Sequence, residues 1–115
     1  MQYMLLIYTD PSPFLKMTPE QQSQGLAAYQ SYMEALTKSG ALKASGRLQP
    51  TSTATTVKVT NGKTQVLNGP YAETKEQLGG YFLIDVPDLD AALSWAARCP
   101  GSSHGTVEVR PIWVM

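Results

Sequence analysis

The nineteen residues from Asn68 to Val86, NGPYAETKEQLGGYFLIDV, run from a tight turn through four charged side chains and a double glycine into an aromatic strand. The last six, Tyr81 to Val86 (YFLIDV), decide the fold. Tyr81, Leu83 and Asp85 oppose Phe82, Ile84 and Val86 across an extended chain, so both faces of the strand are mostly apolar. Tyr3 to Tyr8 (YMLLIY) has the same character, with Tyr3, Leu5 and Ile7 opposing Met4, Leu6 and Tyr8. Short apolar runs of this kind suit central strands covered on both sides.

Between the two strands the pattern changes period. Thr18 can cap a helix, Pro19 takes its first position, and Gln21 can close a capping box. Leu26, Tyr29, Met33 and Leu36 then recur at helical spacing and predict the buried face; Ser39-Gly40 supplies the stop. Asp10 to Met17 is expected to be loop. Leu42 to Leu48 is a weak strand. Thr55 to Thr60 (TTVKVT) and Lys63 to Leu67 (KTQVL) flank Asn61-Gly62, the turn pair that type I′ hairpins require.

Beyond Val86, Asp88 caps a second helix with Asp90 in its first turn, and Leu89, Leu93, Ala96 and Ala97 predict its buried face. Pro100-Gly101 ends it. Val107 to Val114 alternates as a last strand, and Pro111 favours an edge position or a bulge there. The order β-α-β-β-β-β-α-β, with the middle hairpin as an insertion, predicts a single α+β domain over residues 1–115. It is a ferredoxin-like plan, an antiparallel sheet with two helices on one face. The uncovered apolar face then calls for a second copy of the chain, so a homodimer is expected.

Composition excludes several classes. Nine basic residues balance nine acidic ones, with no run of Lys or Arg, which argues against nucleic-acid binding. No apolar run approaches the ~20 residues of a membrane span. With one cysteine, Cys99, and one histidine, His104, a single chain can assemble neither a disulfide nor a zinc site, and no metal or other cofactor is expected. A cytoplasmic location follows as an expectation from the lone thiol and the strand-like N-terminus.

The run AETKEQLGGY (Ala72–Tyr81), with NGPY before it, VPDLDAALSWAARCP after it and VEVRPIWV at the end, resembles the YCII-related family. The nearer likeness is to its DGPF-type branch. MQYMLLIY and the TATTVKV hairpin strand share the likeness, which covers the whole chain. The resemblance implies a dimeric α/β-barrel of ferredoxin-like subunits. It also implies a link with extracytoplasmic-function sigma factors, and in the wider family a His–Asp pair in a cleft. Here the signature Asp is Asn68 and the signature Phe is Tyr71, and the first helix has no His, its nearest equivalents being Gln24 and Tyr29. An amide can hydrogen-bond but cannot serve as a general base, so that pair is not carried over.

The candidate site is therefore the Asn68–Glu76 connection. Asn68-Gly69-Pro70-Tyr71 reads as a turn, and the Asn68 amide and Tyr71 hydroxyl are also candidates to line a cleft. Glu73, Lys75 and Glu76 alternate in sign as solvated loops do. Glu73 is the choice for any acid–base role, with pairing to Arg47 or Arg110 as its structural alternative. Gly79-Gly80 fits a bulge or a close strand crossing, and no Lys-Ser/Thr follows to make a phosphate loop. Arg110 either pairs with Glu108 or faces a cleft and an anionic ligand. Tyr8, Lys75 and Arg110 complete the ligand-binding candidates, with Tyr8, Tyr81 and Trp113 as core or interface aromatics. Three readings remain: a small-molecule site, enzymatic or merely binding; a regulatory or partner-binding module acting with a sigma factor; and a dimer whose polar loop is purely structural.

Overall fold

Two separate sheets organise the chain in the computed structural model, which describes residues 1–114. The elements run β1 (Gln2–Thr9), α1 (Ser12–Leu15), α2 (Pro19–Ser39), β2 (Leu42–Arg47), β3 (Thr55–Thr60), β4 (Lys63–Asn68), β5 (Gln77–Asp85), α3 (Leu89–Arg98) and β6 (Thr106–Pro111). Single 3₁₀ turns at Thr51–Thr53 and Pro100–Ser103 join them. The main sheet is antiparallel in the order β2-β5-β1-β6; β3 and β4 form a sheet of their own. With the hairpin set aside, that order and the two long helices are the ferredoxin-like α+β arrangement expected from the residue pattern. The two doubly apolar strands, β1 and β5, lie side by side at the centre.

One face of this sheet makes the core. Tyr3, Leu5 and Ile7 of β1 and Phe82 and Ile84 of β5 are buried against Tyr32 and Leu36 of α2 and Ala92 and Ala96 of α3. Tyr32 anchors it. Its ring meets Phe82 and Trp95 edge-on, at centroid distances of 5.3 and 6.0 Å, and its hydroxyl donates to the Trp95 carbonyl at 2.7 Å. Burial, which outweighs the nearby Arg98 charge, pushes the Tyr32 hydroxyl above its ordinary pKa.

The buried faces of both helices keep Tyr29, Leu36 and Ala96 of those the spacing predicts but are rotated away from the rest. In α2, Tyr32 and Leu36 are buried and Tyr29 is half-buried, whereas Leu26 and Met33 are exposed. In α3, Ala92 and Ala96 are buried and Trp95 half-buried, whereas Leu89, Leu93 and Ala97 are exposed. Each helix turns its aromatic side chain inward, and small alanines let α3 lie close to the sheet. Periodicity alone cannot separate two overlapping apolar stripes of similar strength. The helix starts do match their signals. Thr18 and Gln21 form the capping box, each side chain bonded to the other's backbone, and the Asp88 carboxylate accepts from Ala91 N–H at 2.9 Å. Ser12 to Leu15, expected as loop, forms one helical turn tied at its start by the Asp10 carboxylate, which accepts from Ser12 N–H at 2.9 Å.

Strand β5 begins four residues before Tyr81, and both glycines lie inside it. Ile7 pairs with Gly80 and Tyr8 with Leu78, so Gly79 is an extra residue that bulges out of the ladder. Gly80 has a different reason: a Cβ there would stand 2.9 Å from the Gly46 carbonyl oxygen across the β2–β5 pairing. The strongest local expectation also holds. Asn61 and Gly62 have φ of 52° and 76°, both positive as a type I′ turn needs, and β3 pairs with β4 from Thr60–Lys63 to Thr55–Asn68. Strand β6 lies at the sheet edge, and Pro111 is its last residue, where a missing N–H costs the ladder little.

Among the described residues, no helix or other strand packs on the other face of the main sheet. Pairing registers place Met4, Leu6 and Tyr8 of β1, Leu78, Tyr81 and Leu83 of β5, Ala44 and Gly46 of β2, and Thr106, Glu108 and Arg110 of β6 on it. The radius of gyration is 16.2 Å, against about 13 Å for a compact domain of similar length.

Candidate functional site

The connections leading into and out of the hairpin make an open groove of about 480 Å³. Thr51 and Ser52, from the 3₁₀ turn before β3, form one wall; Gly69, Pro70, Ala72, Glu73, Thr74 and Gln77, from the return after β4, form the other. The two stems are tied together. Gly69 N–H donates to the Ala54 carbonyl at 2.8 Å, and the Thr51 hydroxyl donates to Gln77 Oε1 at 3.0 Å. Gly69 has φ of 112°, a conformation side-chain-bearing residues rarely adopt, so the glycine between Asn68 and Pro70 is required by the turn itself.

The lining is polar: three hydroxyls, one primary amide and one carboxyl group, with backbone and proline surface between them. Glu73 is its only ionisable side chain, and among the described residues it has no ion-pair partner. Such a lining suits a small, uncharged, hydroxyl-bearing molecule, because it offers several hydrogen bonds and no cation to hold an anion.

The other candidates are placed as follows. Asn68 is the last residue of β4, opposite Thr55, and is exposed. Tyr71 is 98% exposed and makes no wall of the groove. Lys75 is exposed in the return, among the charges that hold Asp10 below its ordinary pKa, although the Ser12 N–H and hydroxyl contribute most. Tyr8 and Arg110 lie on the open sheet face. Arg110 pairs with Glu108 at 2.7 Å, which raises the guanidinium's pKa further and engages it away from Glu73. Arg47, the other partner considered for Glu73, sits over the Phe14 ring at 5.8 Å. Glu76 accepts from the Thr106 hydroxyl at 2.8 Å and ties the start of β5 to the start of β6. So the structure brings Glu73 together with Thr51, Ser52 and Gln77, and puts Tyr8 and Arg110 on a second surface.

Thr51, Ser52 and Gln77 are absent from the residues read as candidates. Thr51 and Ser52 precede the hairpin and reach Glu73 only because β3 and β4 pair; the firm hairpin signal at Asn61-Gly62 implies that closure. His104 lies in the loop before β6, its Nδ1 3.2 Å from Ser103 Oγ, on a different element from Asn68. Among the described residues no three His, Cys, Asp or Glu side chains cluster as a metal site would require, and no helix is long and apolar enough to cross a membrane.

One buried cluster stands apart from the groove. Tyr29, Tyr32 and Cys99 meet beneath the 3₁₀ turn at Pro100, and a Cβ on Gly101 would come within 2.7 Å of the Tyr29 hydroxyl and 2.8 Å of Ile7 Cγ2. Burial pushes Tyr29 up to about 12 and raises Cys99 as well. Held neutral and packed, these groups are part of the core.

A ferredoxin-like α+β domain with one sheet face open among the described residues and a polar groove beside an appended hairpin is thus defined by the geometry. Residues 1–115 match the YCII-related domain, and the chain belongs to that family. It is 37% identical over 114 residues to an uncharacterized protein of Rhizobium meliloti (strain 1021), an alignment covering 97% of this chain and 92% of that protein. Among solved structures it is similar to 5-chloro-2-hydroxyhydroquinone dehydrochlorinase (TftG) from Burkholderia phenoliruptrix AC1100, in complex with 2,5-dihydroxybenzoquinone. The TM-score is 0.56 at 14% identity, over 98% of this chain and 94% of that one, a likeness of fold.

Proposed function

We propose that this YCII-related protein is a homodimer that binds a small, uncharged, hydroxyl-bearing organic molecule in the groove beside the Asn68–Glu76 loop. Glu73 is the one carboxyl group positioned to take a hydrogen bond or a proton from it. The observation that carries this reading is the groove itself, where Glu73 shares a space of ligand size with Thr51, Ser52, Thr74 and Gln77. Asn68, Tyr71 and Lys75 flank the lining residues in the chain and are the next candidates to touch the ligand. The dimer is supported by the apolar open face of β1 and β5, which the helices leave uncovered; Tyr8 and Arg110 on that face would look toward the second copy. TftG, solved in complex with 2,5-dihydroxybenzoquinone, is consistent with a small oxygen-bearing ring as the ligand.

The test is a titration of the protein with hydroquinone and with catechol, followed by backbone amide NMR. Binding in the groove moves the amides of Thr51, Ser52, Ala72, Glu73, Thr74 and Gln77, and Glu73→Gln weakens the affinity at least about tenfold, the size of one charge-assisted hydrogen bond. Shifts clustered elsewhere, no shifts with either compound, or unchanged affinity in Glu73→Gln would overturn the proposal.

A second reading, a regulatory module that binds a partner such as an extracytoplasmic-function sigma factor, is supported by Leu26, Leu89 and Leu93, each about half exposed on the outer surfaces of α2 and α3. Co-elution with such a factor, together with a silent ligand titration, would favour it.

A further inference from the structure

Among the described residues, nothing packs on the β3–β4 hairpin to bury either of its faces. All twelve strand residues except Thr56 are exposed, and among them Val57, Val59 and Val66 retain 60–64% of their accessible surface. Register puts these three on one face with Thr55, Thr64 and Asn68; Thr56, Lys58, Thr60, Lys63, Gln65 and Leu67 take the other. The first face is thus an uncharged valine stripe, and both lysines lie on the second. An isolated two-stranded hairpin is at best marginally stable in water, and one that displays a β-branched stripe needs a surface to lie on.

The size of the exposed surface matches what a second copy would cover. The chain exposes 8347 Å². A folded monomer of 12.5 kDa is expected to expose about 6,200 Å², so the excess is about 2,200 Å². That is more than the roughly 800 Å² per partner of an ordinary interface and lies in the range of obligate homodimers. An isologous pair meets the need twice over, since each copy offers an arm and receives one.

We infer that the hairpin is a clasping arm whose Val57–Val59–Val66 face docks on a second copy of this chain. The inference rests on the dimer of the proposed function and adds the element that secures it. Because the arm's two stems are the groove walls, docking the arm also fixes the groove.

The experiment is sedimentation velocity over a dilution series, comparing the wild-type chain with the Val57→Thr/Val59→Thr/Val66→Thr variant. Threonine keeps the β-branched shape and the turn, so the hairpin still forms. The triple variant is expected to raise the dimer dissociation constant at least tenfold. Hydrogen exchange supplies a second measurement on the wild-type protein. Protection of the Thr55–Asn68 amides, and of Thr51, Ser52 and Ala72–Gln77, should rise as the dimer fills. A wild-type dimer with an unchanged dissociation constant in the variant overturns the clasp and leaves the dimer standing. Amide protection that ignores protein concentration also overturns the clasp. A wild-type chain that stays monomeric at micromolar concentration overturns both.

Discussion

The central strands and the hairpin are built from the same kinds of residue and meet opposite fates. Tyr3, Leu5 and Ile7 on β1 are buried under two helices, while Val57 and Val59 on β3 stand in solvent. Both segments alternate, and both are rich in residues that favour extended chain. What separates them is connection: β1 is followed by a helix long enough to fold back over the sheet, and β3 only by a two-residue turn. A strand's propensity thus says that it will be a strand, and the elements around it say what will cover it.

Substitutions can test that contrast. The largest effect is expected at Leu36, fully buried between α2 and the sheet: Leu36→Ala should cost about 2–5 kcal/mol of unfolding free energy in a denaturant melt, at every protein concentration. Val57→Thr should instead lower the melting temperature by an amount that shrinks on dilution, because its partner is another molecule. An equal, concentration-independent loss at both positions would erase the distinction. Next comes Gly101→Ala, which drives a methyl group against the Tyr29 hydroxyl and Ile7; about 1–3 kcal/mol should be lost by the same melt, whereas Gly25→Ala, with open space around it, should be neutral or slightly stabilising.

The smallest effect is one of pH. Tyr29 is raised from 10 to about 12, and Tyr32 and Cys99 are raised too, all by burial. A raised folded-state pKa means that the native chain keeps protons the unfolded chain gives up. Stability from these groups is therefore complete below about pH 9 and falls as pH climbs from there toward 12. Thermal melts across that window, with tyrosinate absorbance as the second signal, should show the decline, and Tyr29→Phe should make it shallower. Since Tyr29 is only half-buried, water screens part of the effect.

Much of the fold was legible beforehand because its signals are local. Thr18-Pro19 with Gln21, Asp88, and Asn61-Gly62 each act within three or four residues, and each formed the cap or turn it predicts. The two-sided apolar character of YMLLIY and YFLIDV also placed β1 and β5 at the centre of the sheet. The helix faces were less legible. Leu26 and Met33 share spacing with the buried Leu36 yet are exposed, because the ring contacts of Tyr32 with Phe82 and Trp95, more than forty residues away in the chain, turn the helix toward Tyr32. The candidate site was legible on one side only. Glu73 lies in the run that first stands out, but the opposing Thr51 and Ser52 precede a hairpin whose pairing had to close before they became its neighbours.

Gly79 carries a consequence of another kind. Counting back from Tyr81 by simple alternation would send Leu78 toward the helices and Gln77 toward the open face. The extra residue resets the phase, so Leu78 pairs with Tyr8 on the open face and Gln77 is free to meet Thr51. Deleting the extra residue would swap the two and break the tether of the hairpin stem. One inserted residue thus decides which side chain at the start of β5 meets the hairpin stem and which joins the open face.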